Sequence, residues 1–236
     1  MNRILLRSAS TRSRCEGHRK RAKHKLETVG HDNLLDYEIV ELMLFLIFKR
    51  KDVKQLAKIL IERFKTIDGI LNATKNQLLS VEGVGPSTVD AIRIIDSVVK
   101  SSLKSRIMKR DSIECFDDVV AYCKANMKHL VAEELRVIFL NETNCVIADE
   151  TLNEGNIDSV TVNPRNIIGR CIDNGAKGII LVHNHPSGDP TPSANDIYTT
   201  KRLKEVTRLL EISIVDHIII GGDRYISFKS LGLLGM

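Results

Sequence analysis

The sequence predicts an α+β fold in which a small all-α domain precedes a sheet flanked by helices. In residues 27–100 the apolar side chains recur at helical spacing. From residue 116 onward, helical segments alternate with short apolar runs rich in Ile and Val, the pattern of a sheet covered by helices. The polar and basic segment 101–113 separates these regions and is predicted to be a linker. The second domain is therefore expected over residues 114–236.

Residues 1–26 form a basic tail. They contain nine Lys or Arg against Glu16 alone, so the tail carries +8, the whole chain +5 and the remainder −3. This composition predicts a disordered, solvated arm, because it offers little apolar surface for a core. The same charge would let residues 3–25 bind nucleic acid through counterion release. The sequence is compatible with both interpretations.

The composition is otherwise that of a globular protein, with 43% hydrophobic and 28% charged residues. The most apolar run, residues 39–48, is only ten residues long and contains Glu41, which is too short to cross a bilayer. The five cysteines are odd in number and include no Cys-x-x-Cys pair. They predict free thiols in a reducing compartment and argue against cysteine-ligated zinc. We therefore expect a cytoplasmic protein that does not bind membranes.

The first domain is expected to contain a helix-hairpin-helix unit. Helices are predicted over residues 33–48, 53–64 and 89–99, and the run Val81-Glu82-Gly83-Val84-Gly85-Pro86-Ser87 precedes the last of them. Glycines in such a run permit a tight turn whose backbone N–H groups can face a phosphate. The turn over residues 81–87 is thus a candidate nucleic-acid contact.

An ordinary hairpin between two helices would use the same glycines. A basic residue is expected directly after the second glycine of a phosphate-binding turn, but Pro86 and Ser87 stand there. Lys75 and Arg93 remain candidate phosphate contacts. The sequence leaves both interpretations of the turn open.

In the second domain, segments with the apolar spacing of helices alternate with short apolar runs typical of strands. In chain order, the predicted elements are a helix over 116–127, strands over 133–140 and 145–148, a helix over 164–174, a strand over 178–182, a helix over 193–210, and strands over 212–220 and 225–228. This order predicts a three-layer or α+β sandwich.

The candidate site residues follow directly after the most buried predicted strand. The apolar run ends in His183-Asn184-His185, and strand periodicity places both imidazoles on one face. A proline-rich loop follows, and then Ser193 begins a helix that has Asp196 in its first turn. Two imidazoles and one carboxylate suit a divalent metal with one open position, as in a catalytic zinc site.

A structural alternative applies to part of this group. Ser193 and Asp196 have the spacing of a capping box, which would explain them without a metal. It would not explain why His183 and His185 arrive on one face just before them, and a cap would also orient the carboxylate. His217, in a later apolar strand, is predicted to be a packed structural histidine.

These residues resemble a known family. The spacing of His183, His185, Ser193 and Asp196 matches the metal signature of the JAMM/MPN metalloproteases, His-x-His, seven residues, Ser, two residues, Asp. The fuller run His-Asn-His-Pro-Ser-Gly-Asp-Pro-Thr-Pro-Ser is similar to the RadC-like branch, as are Asn163-Pro164-Arg165 and Asp216-His217-Ile218-Ile219-Ile220-Gly221. RadC-like proteins also carry a helix-hairpin-helix region ahead of this domain.

The resemblance implies a JAMM/MPN-type sandwich with a mixed sheet, and it implies a role for each site residue. His183, His185 and Asp196 would hold Zn²⁺ with water as fourth ligand, and Ser193 would hydrogen-bond the developing oxyanion. The general base of the family lies eight residues before the Asn or Asp that ends the first strand, which is Glu133 when counted back from Asn141. Without the resemblance, Glu133 would be interpreted as a solvated residue.

Two further positions, Glu134 and Asn166, bear on these assignments. Glu134 lies on the opposite strand face from Glu133, so geometry distinguishes the two carboxylates. The family also usually has a glutamate where this chain has Asn166, although no predicted ligand is affected.

The function implied by the resemblance is a zinc-dependent hydrolase of metallopeptidase or isopeptidase type, acting on an amide bond of an unknown protein or peptide. The alternative is a DNA-associated repair-type factor that binds through the tail and the hairpin, with a structural or nuclease-type metal site. Neither the substrate nor the oligomeric state can be inferred from the residues.

Overall fold

The computed structural model of the chain describes residues 17–49, 51–108, 116–152 and 163–235. The chain divides between Val98 and Val99 into two compact units, each with its own hydrophobic core. Residues 1–16 of the predicted tail and 109–113 of the predicted linker lie outside the described residues.

The first unit is helical throughout its described part. Its elements are α1 (17–29), a 3-10 turn (His31–Asn33), α2 (Asp36–Ile47), α3 (Lys54–Phe64), α4 (Ile67–Asn72), α5 (Lys75–Leu79) and the first part of α6 (Pro86–Met108). Leu44, Leu60 and Ile92 are fully buried in its core. The predicted helix over 89–99 therefore belongs to a longer helix.

Two short helices, α4 and α5, were not predicted. Each begins at a threonine whose hydroxyl accepts a backbone N–H: Thr66 from Gly69 at 2.9 Å, and Thr74 from Gln77 at 3.3 Å. Gln77 returns a bond to the Thr74 N–H at 2.7 Å, which completes a capping box. These polar caps define helices that are too short to show a hydrophobic period.

The described end of the basic tail is folded. Residues 17–29 form α1, whereas the sequence predicted disorder as far as residue 26. His18 contacts the buried Glu41 at 2.7 Å, and Lys25 contacts Glu38 at 2.6 Å. Arg19 also donates to the Phe48 carbonyl. Acidic and carbonyl partners near α2 thus order a segment whose composition alone indicates a solvated arm.

A helix also stands where the sequence predicted a linker. α6 continues through residues 101–108, and Ile107 is only 3% exposed. Leu103 and Ile107 lie one helical turn apart, and both pack into the core of the second unit. Two apolar residues at this spacing are enough to anchor one face of an otherwise polar helix.

The second unit has the three-layer α+β architecture. Its elements are α7 (Phe116–Met127), β1 (Leu135–Leu140), β2 (Val146–Thr151), α8 (Pro164–Asp173), β3 (Gly178–Asn184), α9 (Ala194–Leu209), β4 (Ser213–Gly221) and β5 (Arg224–Ser227). The strand order is β2-β1-β3-β4-β5, in which β3 and β4 are parallel and the other pairs antiparallel. The predicted mixed sheet flanked by helices is confirmed.

The two faces of the sheet are covered by different helices. Ile180 and Val182 of β3 pack towards α7, whereas Ile179 and Leu181 pack towards α8 and α9. Strand alternation therefore assigns His183 to the α9 face. Across the described residues, no helix combines the length and apolar character needed to span a membrane.

Candidate metal centre

The candidate metal centre lies at the carboxyl end of β3. This strand is buried along its whole length, because it occupies the centre of the sheet between β1 and β4. His183 is 7% exposed, and His185 follows directly after the last residue of the strand. The central position explains both the continuous apolar run and the fixed location of the two imidazoles.

The first turn of α9 supplies the carboxylate. The Ser193 hydroxyl accepts the Asp196 N–H at 3.1 Å, and Asp196 Oδ2 accepts the Ser193 N–H at 2.7 Å. The same hydroxyl donates to Asp196 Oδ2 at 2.6 Å. The capping box considered from the sequence is therefore present, and it orients the carboxylate towards the two histidines.

Three candidate ligands converge on one point. The Nε2 atoms of His183 and His185 are 2.9 Å apart. His183 Nε2 lies 3.5 Å from Asp196 Oδ1, and His185 Nε2 lies 3.6 Å from Asp196 Oδ2. A tetrahedral zinc with bonds of about 2.0–2.1 Å places its ligand atoms roughly 3.3 Å apart. The donor set and its spacing therefore fit a single ion, and no fourth His, Cys, Asp or Glu joins this group in the described part of the chain.

Hydrogen bonding directs a lone pair of His185 towards the other ligands. His185 Nδ1 lies 2.8 Å from the carbonyl oxygen of Asp189. A carbonyl can only accept, so Nδ1 carries the proton, and the neutral ring has its lone pair on Nε2. The loop that follows β3 thus sets the tautomer of His185.

A buried chain of hydrogen bonds sets the tautomer of His183. The Thr200 hydroxyl donates to the Asp196 carbonyl at 2.6 Å and lies 2.7 Å from His217 Nδ1. Because its proton is already committed, the hydroxyl accepts from His217 Nδ1–H, which leaves a lone pair on His217 Nε2. That nitrogen lies 2.8 Å from His183 Nδ1 and accepts its proton. His183 Nε2 is therefore free for a metal.

Burial keeps His183 and its partner His217 in the neutral form. It lowers the pKa of His183 to about 4; the Asp196 carboxylate opposes this shift, and His185 adds to it. Burial also lowers the pKa of His217 well below its usual value, with further lowering from His183 and His185. Both groups are consequently neutral near pH 7.

Glu133 shares a cavity with the ligand candidates. The cavity has a volume of about 260 Å³, and its lining includes Glu133, His183, His185, Ser193 and Asp196. β1 runs antiparallel to β3 and its first residue, Leu135, pairs with His183, so the segment before β1 arrives at the same edge of the sheet.

Glu134 is directed elsewhere. Its carboxylate accepts from Thr151 Oγ1 at 3.1 Å and from Arg136 at 3.4 Å. The two neighbouring carboxylates therefore lie on different faces, and Glu133 is the one at the cavity. Its role as a general base remains a prediction.

Three contributing residues could not be recognised from the sequence. His217 is packed and hydrogen-bonded as predicted, but the sequence did not show that its partner is a candidate ligand, and Thr200 had no assigned role. At Gly221 an added Cβ would lie 2.5 Å from Pro190 N and 2.8 Å from the Gly188 carbonyl oxygen, so only glycine lets β4 approach the loop. The His217 and Gly221 contacts depend on the register of β4 beside β3, which the local pattern does not reveal.

The hairpin turn of the first unit has the backbone of a tight turn, and the Lys51 ammonium lies beside Gly83. Gly83 has φ +91°, and Glu82, Pro86 and Ser87 are exposed beside it. Arg93, a predicted phosphate contact, instead donates to the carbonyls of Leu71 and Ala73. Lys75 is exposed.

Two known families match the chain, one in each unit. A helix-hairpin-helix motif matches residues 54–95, and the RadC-like JAB domain matches residues 113–233, about half of the chain. The chain therefore belongs to the RadC-like JAB domain family. The match, together with a His-His-Asp group that can hold a metal ion, supports a metal-dependent hydrolase of JAMM type.

Proposed function

We propose that this protein is a zinc-dependent hydrolase that cleaves an amide bond in a protein or peptide. The observation that carries the proposal is the shared cavity. His183, His185 and Asp196 converge there with the imidazole protons directed away, and Glu133 lines the same space. Three ligands, an open position and a nearby carboxylate are what a hydrolytic metal centre requires.

The residues divide the work. His183, His185 and Asp196 would hold the ion, which when bound supplies a Lewis acid and lowers the pKa of water. Glu133 takes a proton from the attacking water and returns it to the leaving amine. Ser193 turns its hydroxyl from Asp196 to the developing oxyanion. Water is thereby added across the C–N bond, giving a carboxylic acid and an amine.

The experiment uses the zinc-loaded full chain and a tryptic digest of a whole-cell extract as the peptide mixture. Mass spectrometry should detect new peptide ends with the wild-type protein and lose them in Glu133→Gln. Glu134→Gln is the matched control, since its carboxylate lies on the other face, and it should retain cleavage. Cleavage at the wild-type rate in Glu133→Gln would refute the assignment of the base.

A second candidate function is DNA association. The helix-hairpin-helix match over residues 54–95 favours it, and Lys20, Arg21 and Lys23 of α1 are exposed. DNA binding by the intact chain should weaken steeply as salt rises. Removing residues 1–16 and replacing the exposed Lys20, Arg21 and Lys23 by Gln separates the tail from the hairpin without cutting α1: binding that survives is assigned to the hairpin. Cleavage of labelled DNA with Zn²⁺ or Mn²⁺ would instead indicate a nuclease.

A further inference from the structure

Asn184 separates the two histidine ligands but does not face the metal centre. It is the last residue of β3 and is only 2% exposed. Strand alternation places His183 on the α9 face, so Asn184 projects from the other side. A buried amide must find hydrogen-bond partners, and those partners reveal what the residue does.

The Asn184 amide is bonded to the loop that precedes β1. Its Nδ2 donates to the Ala132 carbonyl at 3.0 Å, and its Oδ1 accepts the Glu134 N–H at 2.9 Å. A carbonyl only accepts and an N–H only donates, so these partners also fix which way the amide faces. We refer to this pair of hydrogen bonds as the clamp.

The clamp encloses a single residue, Glu133. It holds the peptide groups on both sides of Glu133 and so restricts the backbone that directs this side chain. Backbone pairing between β1 and β3 ends at Leu135 and His183, and the clamp extends the attachment beyond that point. Residues 128–134 form no helix or strand, and Val131 is 95% exposed, so the attachment secures an otherwise irregular segment.

We propose that Asn184 is a positioning residue that holds the Glu133 carboxylate at the metal cavity. This inference rests on the proposed function, because it takes Glu133 as the base. The tripeptide His183-Asn184-His185 then provides two metal ligands on one side of the sheet, and on the other side the amide that holds Glu133. Asn184 thereby fixes the distance between the histidine ligands and Glu133, although Glu133 and His183 lie fifty positions apart in the chain.

The first readout is hydrogen–deuterium exchange of the full chain. In Asn184→Ala, exchange over residues 131–135 should become roughly tenfold faster or more, because the Glu134 N–H has lost its acceptor. Glu133→Gln should not change it, since the clamp remains. Asn174→Ala is the matched control: its amide also makes two hydrogen bonds, to Glu150 and Arg170, and it does not line the cavity.

The second readout is the pH dependence of the visible absorption of the Co²⁺-loaded protein. A carboxylate beside the ion influences this dependence, so Glu133→Gln should move the midpoint by roughly half a pH unit or more. Asn184→Ala should move it in the same direction while still binding Co²⁺. The double variant should add little to Glu133→Gln alone, since both changes act through one carboxylate. Asn174→Ala should leave the midpoint unchanged.

The outcomes separate the two proposals. A midpoint that shifts in Glu133→Gln but not in Asn184→Ala overturns the positioning role alone. No shift in Glu133→Gln, or no Co²⁺ binding by the wild type, overturns the proposed function and this inference with it. If Asn184→Ala does not fold, Asn184→Asp is measured instead, because it retains the acceptor for the Glu134 N–H. That variant has lost only the donor to the Ala132 carbonyl, so a wild-type midpoint in it would also contradict the clamp.

Discussion

The Thr200 hydroxyl determines, through two rings, which nitrogen of His183 carries a proton. It donates to the Asp196 carbonyl and accepts from His217, which in turn accepts from His183. Asp196 and His183 are both candidate ligands, so the chain also ties α9 to β3. Residues that contact no metal thus decide whether the ligands present lone pairs to it.

Replacing Thr200 by Val should weaken zinc binding by about tenfold or more, because His217 then loses the acceptor that fixes its tautomer. The affinity can be measured by competition with a chromophoric chelator. Thr207→Val is the matched control, since Thr207 is fully buried on the same helix and its hydroxyl donates to the Lys204 carbonyl. Equal losses of affinity in the two variants would contradict the role of the buried chain.

The loop that orients His185 is held in place by contacts with β4 and β5. β4 brings Gly221 against Pro190, and Arg224 of β5 donates to the Gly188 carbonyl at 3.1 Å. The Asp189 carbonyl, which accepts the His185 proton, is held between these contacts. The geometry of one ligand therefore depends on a strand that contributes no ligand.

Gly221→Ala should lower both stability and zinc affinity, because the new Cβ would displace the Pro190 loop. Gly222→Ala provides the comparison: Gly222 has φ +57° but nothing within 4 Å of an added Cβ, so only backbone strain is introduced. Chelator competition and urea unfolding measure the two effects. Unchanged zinc affinity in Gly221→Ala would show that the loop does not set the ligand geometry.

The carboxyl-terminal part of α6 is expected to contribute to the stability of the second unit. Ile107→Ala should lower the free energy of unfolding by about 2–4 kcal/mol, because it leaves a cavity in the core beside α7. Ile94→Ala in the same helix should change it by about 0.5 kcal/mol or less, since Ile94 is 63% exposed. Urea unfolding followed by circular dichroism tests both. Similar small effects would mean that this part of α6 is not integral to the core.

For the whole molecule, the sequence predicted best what is local. The fold class followed from the helical and strand spacings of the apolar residues. The three candidate ligands lie within fourteen residues, from His183 to Asp196. Glu133 was reached through a family resemblance, because it lies in the segment before β1, far from the ligands in the chain. Its place at the cavity depends on the antiparallel register of Leu135 with His183.

The features that the sequence did not predict depend on partners distant in the chain. α1 is ordered by Glu38 and Glu41, and the end of α6 by a core built from later strands. His217 was predicted only to be a packed histidine, and Asn184 was assigned no role, because their partners appear only when the strands are paired. Side-chain periodicity carries no information about register between strands, which is where these contacts arise.

The metal centre is tested most directly by the zinc content of the purified full chain, measured by elemental analysis after zinc loading and desalting. The wild type should retain about one zinc ion per chain, and His183→Ala and Asp196→Ala should lose it. His24→Ala, which removes an exposed histidine of α1, should retain it. A wild-type chain that takes up no zinc, or full retention in both ligand variants, would contradict the metal centre.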